Sequence, residues 1–179
     1  MIWLRWTAAI LLCGWLGQYA VAMLVPHIVM ERLYNKIGNT TDYNQLYVNP
    51  RPDHTFRNVV RPSPDLIYAF CVYNLEQGPL QISAPVPERY WSMQFYQMNT
   101  DNFAGINNQR EQRFRVGTEV TVTLLGPDEN PAEHAGEVIQ SPTSRGMMLL
   151  RVSGIGGDAQ AQTALKNSRC SAQQIPQTS

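Results

Sequence analysis

Residues 6–25 carry no charged side chain; Arg5 precedes the run, Pro26 follows it, and Glu31 is the next charge. An α-helix rises 1.5 Å per residue, so twenty residues reach about 30 Å, the thickness of a bilayer's hydrocarbon core. Leu11, Leu12, Leu16, Leu24 and Val25 gain by burial in lipid, while Trp3, Trp6, Trp15 and Tyr19 supply amphipathic rings, the outer ones suited to the interfaces. The pattern predicts one transmembrane helix whose apolar positions Ile28, Val29 and Met30 carry it on to about Tyr34. Gly14, Gly17 and Ala20 give that helix a small-residue face on which another helix could pack.

Past a polar, turn-rich stretch (Asn39 to Asn44, then Asn49-Pro50-Arg51-Pro52-Asp53), the period changes to two. Residues 65–75 are apolar on both faces, as a central strand is. Residues 80–84 alternate between Gly78-Pro79 and Pro85. In residues 89–98, Trp91, Met93 and Phe95 share one face, while Tyr90, Ser92, Gln94 and Tyr96 share the other. Residues 119–125, 138–140 and 146–152 add further strands, separated by Gly126-Pro127, Asn130-Pro131, Ser141-Pro142 and a glycine-rich turn at 154–157. Short strands with turn signals and no interleaved long helix predict a mainly β fold, an antiparallel β-sandwich or jelly roll. A short C-terminal helix follows, with Asp158 as its cap and Ala161, Ala164 and Leu165 on one face. The expected organisation is a membrane helix with its extension (1–36), a polar connector (37–58), a β-domain (59–170) and a tail (171–179).

Ala20-Val21-Ala22 fits a signal-peptidase site, but cleavage there would expose Met23, Leu24, Val25 and the apolar residues beyond to water. A retained signal-anchor is the preferred reading. Leu12 is too large for a lipobox before Cys13, which reads as lipid-facing filler. Arg5 and the amino terminus on the short side, against Glu31 offsetting Arg32 and Lys36 on the other, predict an N-in helix in the inner membrane and a β-domain in the periplasm.

Zero net charge, from 14 basic and 14 acidic residues, gives no long-range field to recruit nucleic acid. The one basic cluster, Arg110, Arg113 and Arg115, is diluted by Glu111 and reads as a solvated strand edge. Cys71 and Cys170 could bridge in an oxidising compartment. Cys71 lies in an apolar run, however, where buried free cysteine is common, and the free thiol is the preferred reading.

His27, His54 and His134 are isolated, without the spacing of a metal site, and no metal or cofactor is expected. There is no nucleophile elbow and no P-loop; the turn 154–157 reads as a strand-to-helix connection using left-handed glycines. Arg89 and Arg151 at strand ends read first as structural ion pairs with Asp65 or Asp101, and second as grips for a ligand carboxylate. Asp101-Asn102 reads as a turn, Trp91 and Phe95 as core, and Tyr90 with Tyr96 as a cleft pair.

Several residues taken together resemble a known family. Arg61-Pro62-Ser63-Pro64-Asp65-Leu66-Ile67-Tyr68, then Arg89-Tyr90-Trp91, Asp101-Asn102-Phe103, Leu125-Gly126-Pro127, Ser141-Pro142 and Leu149-Leu150-Arg151-Val152 are similar, in order, to the bacterial family of unknown function DUF 1254. The resemblance covers roughly residues 40–169 and implies a cell-envelope β-sandwich without a securely assigned activity. It brings Tyr68 into one candidate polar cluster with Asp65, Arg89, Tyr90, Asp101 and Arg151. The family's usual Asn before the Asp–Tyr motif is replaced by Ser63-Pro64 here. Longer relatives carry a second domain, DUF 1214, so a separate chain resembling it, or a larger membrane complex, is the expected partner. The resulting expectation is a membrane-anchored binding or assembly module; the alternative is a hydrolase or lyase of anionic or carbohydrate substrates, completed by the partner. There Arg89 would bind an anionic group, Asp65 or Asp101 would move a proton, and Tyr90 would donate a hydrogen bond.

Overall fold

A computed structural model describes residues 2–51, 63–109, 114–155 and 157–172. His54, the Arg61-Pro62 start of the family motif, Arg110 and Arg113, Gly156 and tail residues 173–179 lie outside the described residues. The apolar N-terminal run forms one helix, α1, over Ile2–Thr41, forty residues that pass through Pro26 and end seven beyond the expected Tyr34. Among the described residues, nine strands follow in the order β1 (Leu46–Val48), β2 (Leu66–Asn74), β3 (Leu80–Pro85), β4 (Trp91–Gln97), β5 (Asn102–Asn107), β6 (Glu119–Leu125), β7 (Glu137–Gln140), β8 (Arg145–Ser153) and β9 (Arg169–Ala172), with α2 (Asp158–Asn167) between the last two.

The strands form a five-stranded sheet, β1-β2-β8-β4-β5, and a four-stranded sheet, β7-β6-β3-β9. Strand β2 lies inside the sheet, between β1 and β8, and is buried on both faces, as its unbroken apolar run requires. Ile67, Ala69, Cys71 and Tyr73 of the first sheet share one core with Ile82, Ala84, Val122 and Leu124 of the second, and Trp91, Met93 and Phe95 join it. Ala161 and Leu165 of α2 also join that core, and Ala164 beside them is buried. Trp91 Nε1 is the one fully buried side-chain polar atom among the described residues without a hydrogen-bond partner.

Four expectations need correction. Cys71 is not a free thiol: it is bridged to Cys170, with Cα atoms 6.5 Å apart, joining β2 of one sheet to β9 of the other. The connector is not all loop, since α1 runs to Thr41 and Leu46–Val48 pairs with Val48 opposite Ala69 and Leu46 opposite Cys71. The four-stranded sheet is mixed, because β7 lies parallel to β6 while the other described pairs, in both sheets, are antiparallel. Asp158 does not cap α2: Gly157, at φ 149°, holds the cap position, and Asp158 in the first turn pairs with Arg51 at 2.9 Å. Arg51 also donates to the carbonyl of Pro64, so it ties the connector to both β2's entry and α2.

The last third of α1 does not leave the domain. Met30 and Tyr34 pack in a second apolar cluster with Tyr68, Phe70, Val72 and Met147, on the face of the five-stranded sheet opposite the core. Tyr34 donates its hydroxyl to the carbonyl of Tyr73 at 3.3 Å, its ring stacks on Tyr43, and the Arg145 guanidinium lies 5.7 Å from its centre. Gly38 allows the Tyr43 ring to sit against the helix, in the space a side chain would fill.

Candidate functional site

Strand alternation decides which polar groups meet. On β8, Met148, Leu150 and Val152 enter the core, so Met147, Leu149 and Arg151 face the other way. On β4, Trp91, Met93 and Phe95 are inside, leaving Ser92, Gln94 and Tyr96 outside. Register then lines Tyr68, Arg151, Ser92 and Asn107 across β2, β8, β4 and β5 in one row. The next row holds Phe70, Leu149, Gln94 and Gly105.

In the first row the half-buried Arg151 donates from Nε to Ser92 Oγ at 3.0 Å and from NH2 to Tyr90 Oη at 3.3 Å. Both partners are neutral hydroxyls. No carboxylate pairs with this guanidinium among the described residues. An arginine's five donors and fixed charge then retain capacity for an oxyanion. Tyr68 is buried, and its hydroxyl accepts the backbone N–H of Ser63 rather than reaching a ligand.

The remaining members of the sequence-derived cluster are placed elsewhere. Asp65 is exposed at the start of β2, where its carbonyl accepts the N–H of Gly154. Arg89 is exposed, and its carbonyl accepts from Asn108. Asp101 lies beyond the far end of β4, in the turn to β5, where its carboxylate accepts from Asn99 at 2.6 Å and Gln97 at 3.3 Å. Neither aspartate makes the expected ion pair with Arg89 or Arg151 among the described residues. Tyr90 and Tyr96 do not form a cleft: Tyr90 meets Arg151, whereas Tyr96 packs with the cluster under α1. Gly14, Gly17 and Ala20 lie exposed on α1, with nothing of this chain against either glycine. No group of His, Cys, Asp and Glu suited to a metal occurs among the described residues.

Sequence reasoning missed Ser92, whose hydroxyl holds Arg151. Its signal is its place in the outward-facing set of an aromatic-rich strand, directly across from a strand-end arginine. It also missed a cavity of about 190 Å³ between α1 and the β1–β2 edge, lined by Leu33, Lys36, Ile37, Thr40, Tyr47, Asn49 and Phe70. That space exists only because α1 continues past Tyr34.

Two tyrosines in this part of the molecule hold their protons unusually strongly. Burial pushes Tyr34, beyond the apolar segment of α1, up to about 12, with the Tyr43 hydroxyl adding to the shift and Arg145 opposing it. Burial raises Tyr73 as well, and its hydrogen bond with Ser141 Oγ partly offsets this.

Among solved structures, the chain is similar to the VPA0106 protein from Vibrio parahaemolyticus, with a TM-score of 0.59 and 17% identity over 89% of this chain and 41% of that one. It is also similar to an uncharacterized protein from Burkholderia cenocepacia, with a TM-score of 0.48 and 10% identity over 76% of this chain and 37% of that one. The chain thus spans about two fifths of the length of these relatives. No curated protein matches it. The family profile described as "Protein of unknown function (DUF1254)" matches residues 43–171, most of the chain, and the chain belongs to the DUF1254 family.

Proposed function

We propose that this chain is a membrane-anchored, extracytoplasmic docking module: a β-sandwich held at a fixed attitude over the inner membrane, where it binds and helps assemble a second envelope protein. The observation that carries the reading is the continuity of α1. One uninterrupted helix is apolar along its first part and packs its last part onto the five-stranded sheet through Met30 and Tyr34. A flexible tether would leave the domain free to rotate, whereas this junction couples the membrane segment to one sheet face. The Cys71–Cys170 bridge supports a location outside the reducing cytoplasm.

The face beside the junction supplies the contact chemistry. Arg151, braced by Ser92 and Tyr90, offers a guanidinium to a carboxylate on the partner, and Gln94 and Leu149 in the neighbouring row flank it. The partner is a second envelope protein that presents a carboxylate to Arg151. The catalytic alternative has less support, because Asp101 lies at the other end of β4 and no ion pair or hydrogen bond joins the side chains of Asp65 and Arg151.

Photo-crosslinking in native membranes tests the reading. A photoreactive side chain at Gln94 is expected to give one adduct of defined mass with a companion envelope protein, and Arg151→Ala to reduce its yield at least tenfold. A chain that gives no adduct and purifies in mild detergent strictly alone would overturn it.

A further inference from the structure

We infer that the outward face of the four-stranded sheet binds an acidic oligosaccharide. Strand alternation builds the site. Ile82 and Ala84 of β3, Val120 and Val122 of β6 and Cys170 of β9 enter the core. Gln81, Ser83, Glu119, Thr121, Arg169 and Ser171 therefore face the other way. Register sets Arg169, Ser83 and Thr121 in one row across β9, β3 and β6, and Ser171 beside Gln81 in the next. Together with Lys166 at the end of α2, these residues line an open groove of about 960 Å³. Sites for small molecules span about 300–1,000 Å³, so this groove has room for several sugar rings.

The lining selects the ligand class. The hydroxyls of Ser83, Thr121 and Ser171 and the amide of Gln81 can each donate and accept, and among the described residues none of these side chains is hydrogen-bonded. Sugar hydroxyls have the same double character, so a saccharide can satisfy both rows. The charges are divided across the groove. Lys166 and Arg169 stand at the β9 margin and Glu119 at the β6 margin, two strand spacings or about 10 Å away. None of the three forms an ion pair among the described residues. A sugar carboxylate complements the cationic margin, while neighbouring sugar hydroxyls can donate to the two oxygens of Glu119. A plain polyanion would meet Glu119 with like charge and leave the hydroxyl rows unused. The groove and the Arg151 row lie on the outward faces of different sheets, so this inference stands independently of the assembly reading.

The test uses the full chain in lipid nanodiscs at low ionic strength, where exposed charges are least screened. Trigalacturonate is the probe, maltotriose the neutral sugar control and triglutamate the control for charge alone. Calorimetry is expected to show saturable binding of trigalacturonate, with both controls at least tenfold weaker. Arg169→Gln should weaken trigalacturonate binding at least tenfold. Thr121→Val, which keeps a β-branched residue on the strand, should weaken it at least threefold in a chain that retains its disulfide and β-sheet circular dichroism. Absence of saturable binding at millimolar trigalacturonate would overturn the inference. So would maltotriose or triglutamate binding as tightly as the probe, or binding unchanged in Thr121→Val, the variant that decides the matter if Arg169→Gln does not fold.

Discussion

Cys71 and Cys170 lie 99 residues apart, and their bridge fastens the two sheets across the core. Closing a loop of about 100 residues removes unfolded-chain entropy worth about 4.7 kcal/mol, and removal of a native bridge typically costs 2–5 kcal/mol. The double substitution Cys71→Ala with Cys170→Ala is therefore expected to lower stability by about that amount in urea denaturation. Reductant should bring the wild-type midpoint to that of the variant; identical midpoints with and without reductant would show that the bridge does not hold the sheets together. Sequence hid this pairing because a cysteine in an apolar run reads equally as core, and the Cα separation depends on how β9 pairs. Tyr34 and Tyr73 give a second outcome at this scale. Both folded pKa values lie above the ordinary 10. Below pH 10 both groups are protonated in either state and contribute no slope. Above it the unfolded chain loses protons that the folded chain keeps, so stability falls as pH rises from about 10 towards 12. Thermal midpoints measured across that interval should drop in the wild type and drop less in Tyr34→Phe; equal slopes would contradict the assignment. Gly146 is equally exacting, since a Cβ there would run into the Tyr73 hydroxyl and the backbone carbonyl of Tyr96. Backbone cannot yield as a flexible side chain can, so Gly146→Ala should destabilise by about 1–3 kcal/mol, read by the same denaturation.

At the scale of elements, clean periodicity was legible, and so was the short edge strand β7, but the other three edge strands were not. Strands β2, β3, β4, β6 and β8 follow their apolar patterns to within a few residues, because each buries at least one full face. Strands β1, β5 and β9 escaped notice. Each is an edge strand, with Leu46–Val48 only three residues long and Arg169–Ala172 burying little besides Cys170. Ser171 and Ala172 consequently belong to a strand and not to the tail. The candidate site divides in the same way. Alternation could place Arg151, Ser92 and Tyr90 near one another, but it could not show that Asp65 and Asp101 stay away from them. The length of α1 was also underestimated, because Gly38 and Asn39 read as polar linker, whereas the sheet stabilises that final stretch through tertiary packing. Tyr34→Ala removes a large buried ring from this junction and should cost about 3–5 kcal/mol, the usual range for truncating a buried aromatic ring. Hydrogen exchange should show amides of residues 30–41 losing protection in that variant while β2 and β8 keep theirs. Uniform loss across the sheets would instead make the helix an integral part of the core.

The molecule as a whole is two mixed or antiparallel sheets around one core, with a helix long and apolar enough at its N-terminal end to cross a membrane. That class was legible because a charge-free twenty-residue run and period-two strands are each tied to a distinct environment. The parallel β6–β7 pair was not, since pairing direction leaves no mark on a strand of four residues. The assembly reading depends on the side of the membrane the domain occupies, so topology is its decisive test. Alkaline phosphatase folds only where disulfides form. Fused after Ser179 in cells, it should be active, and a green fluorescent reporter fused at the same point should be dark. An inactive phosphatase together with a bright cytoplasmic reporter would place the domain inside the cell and contradict the account.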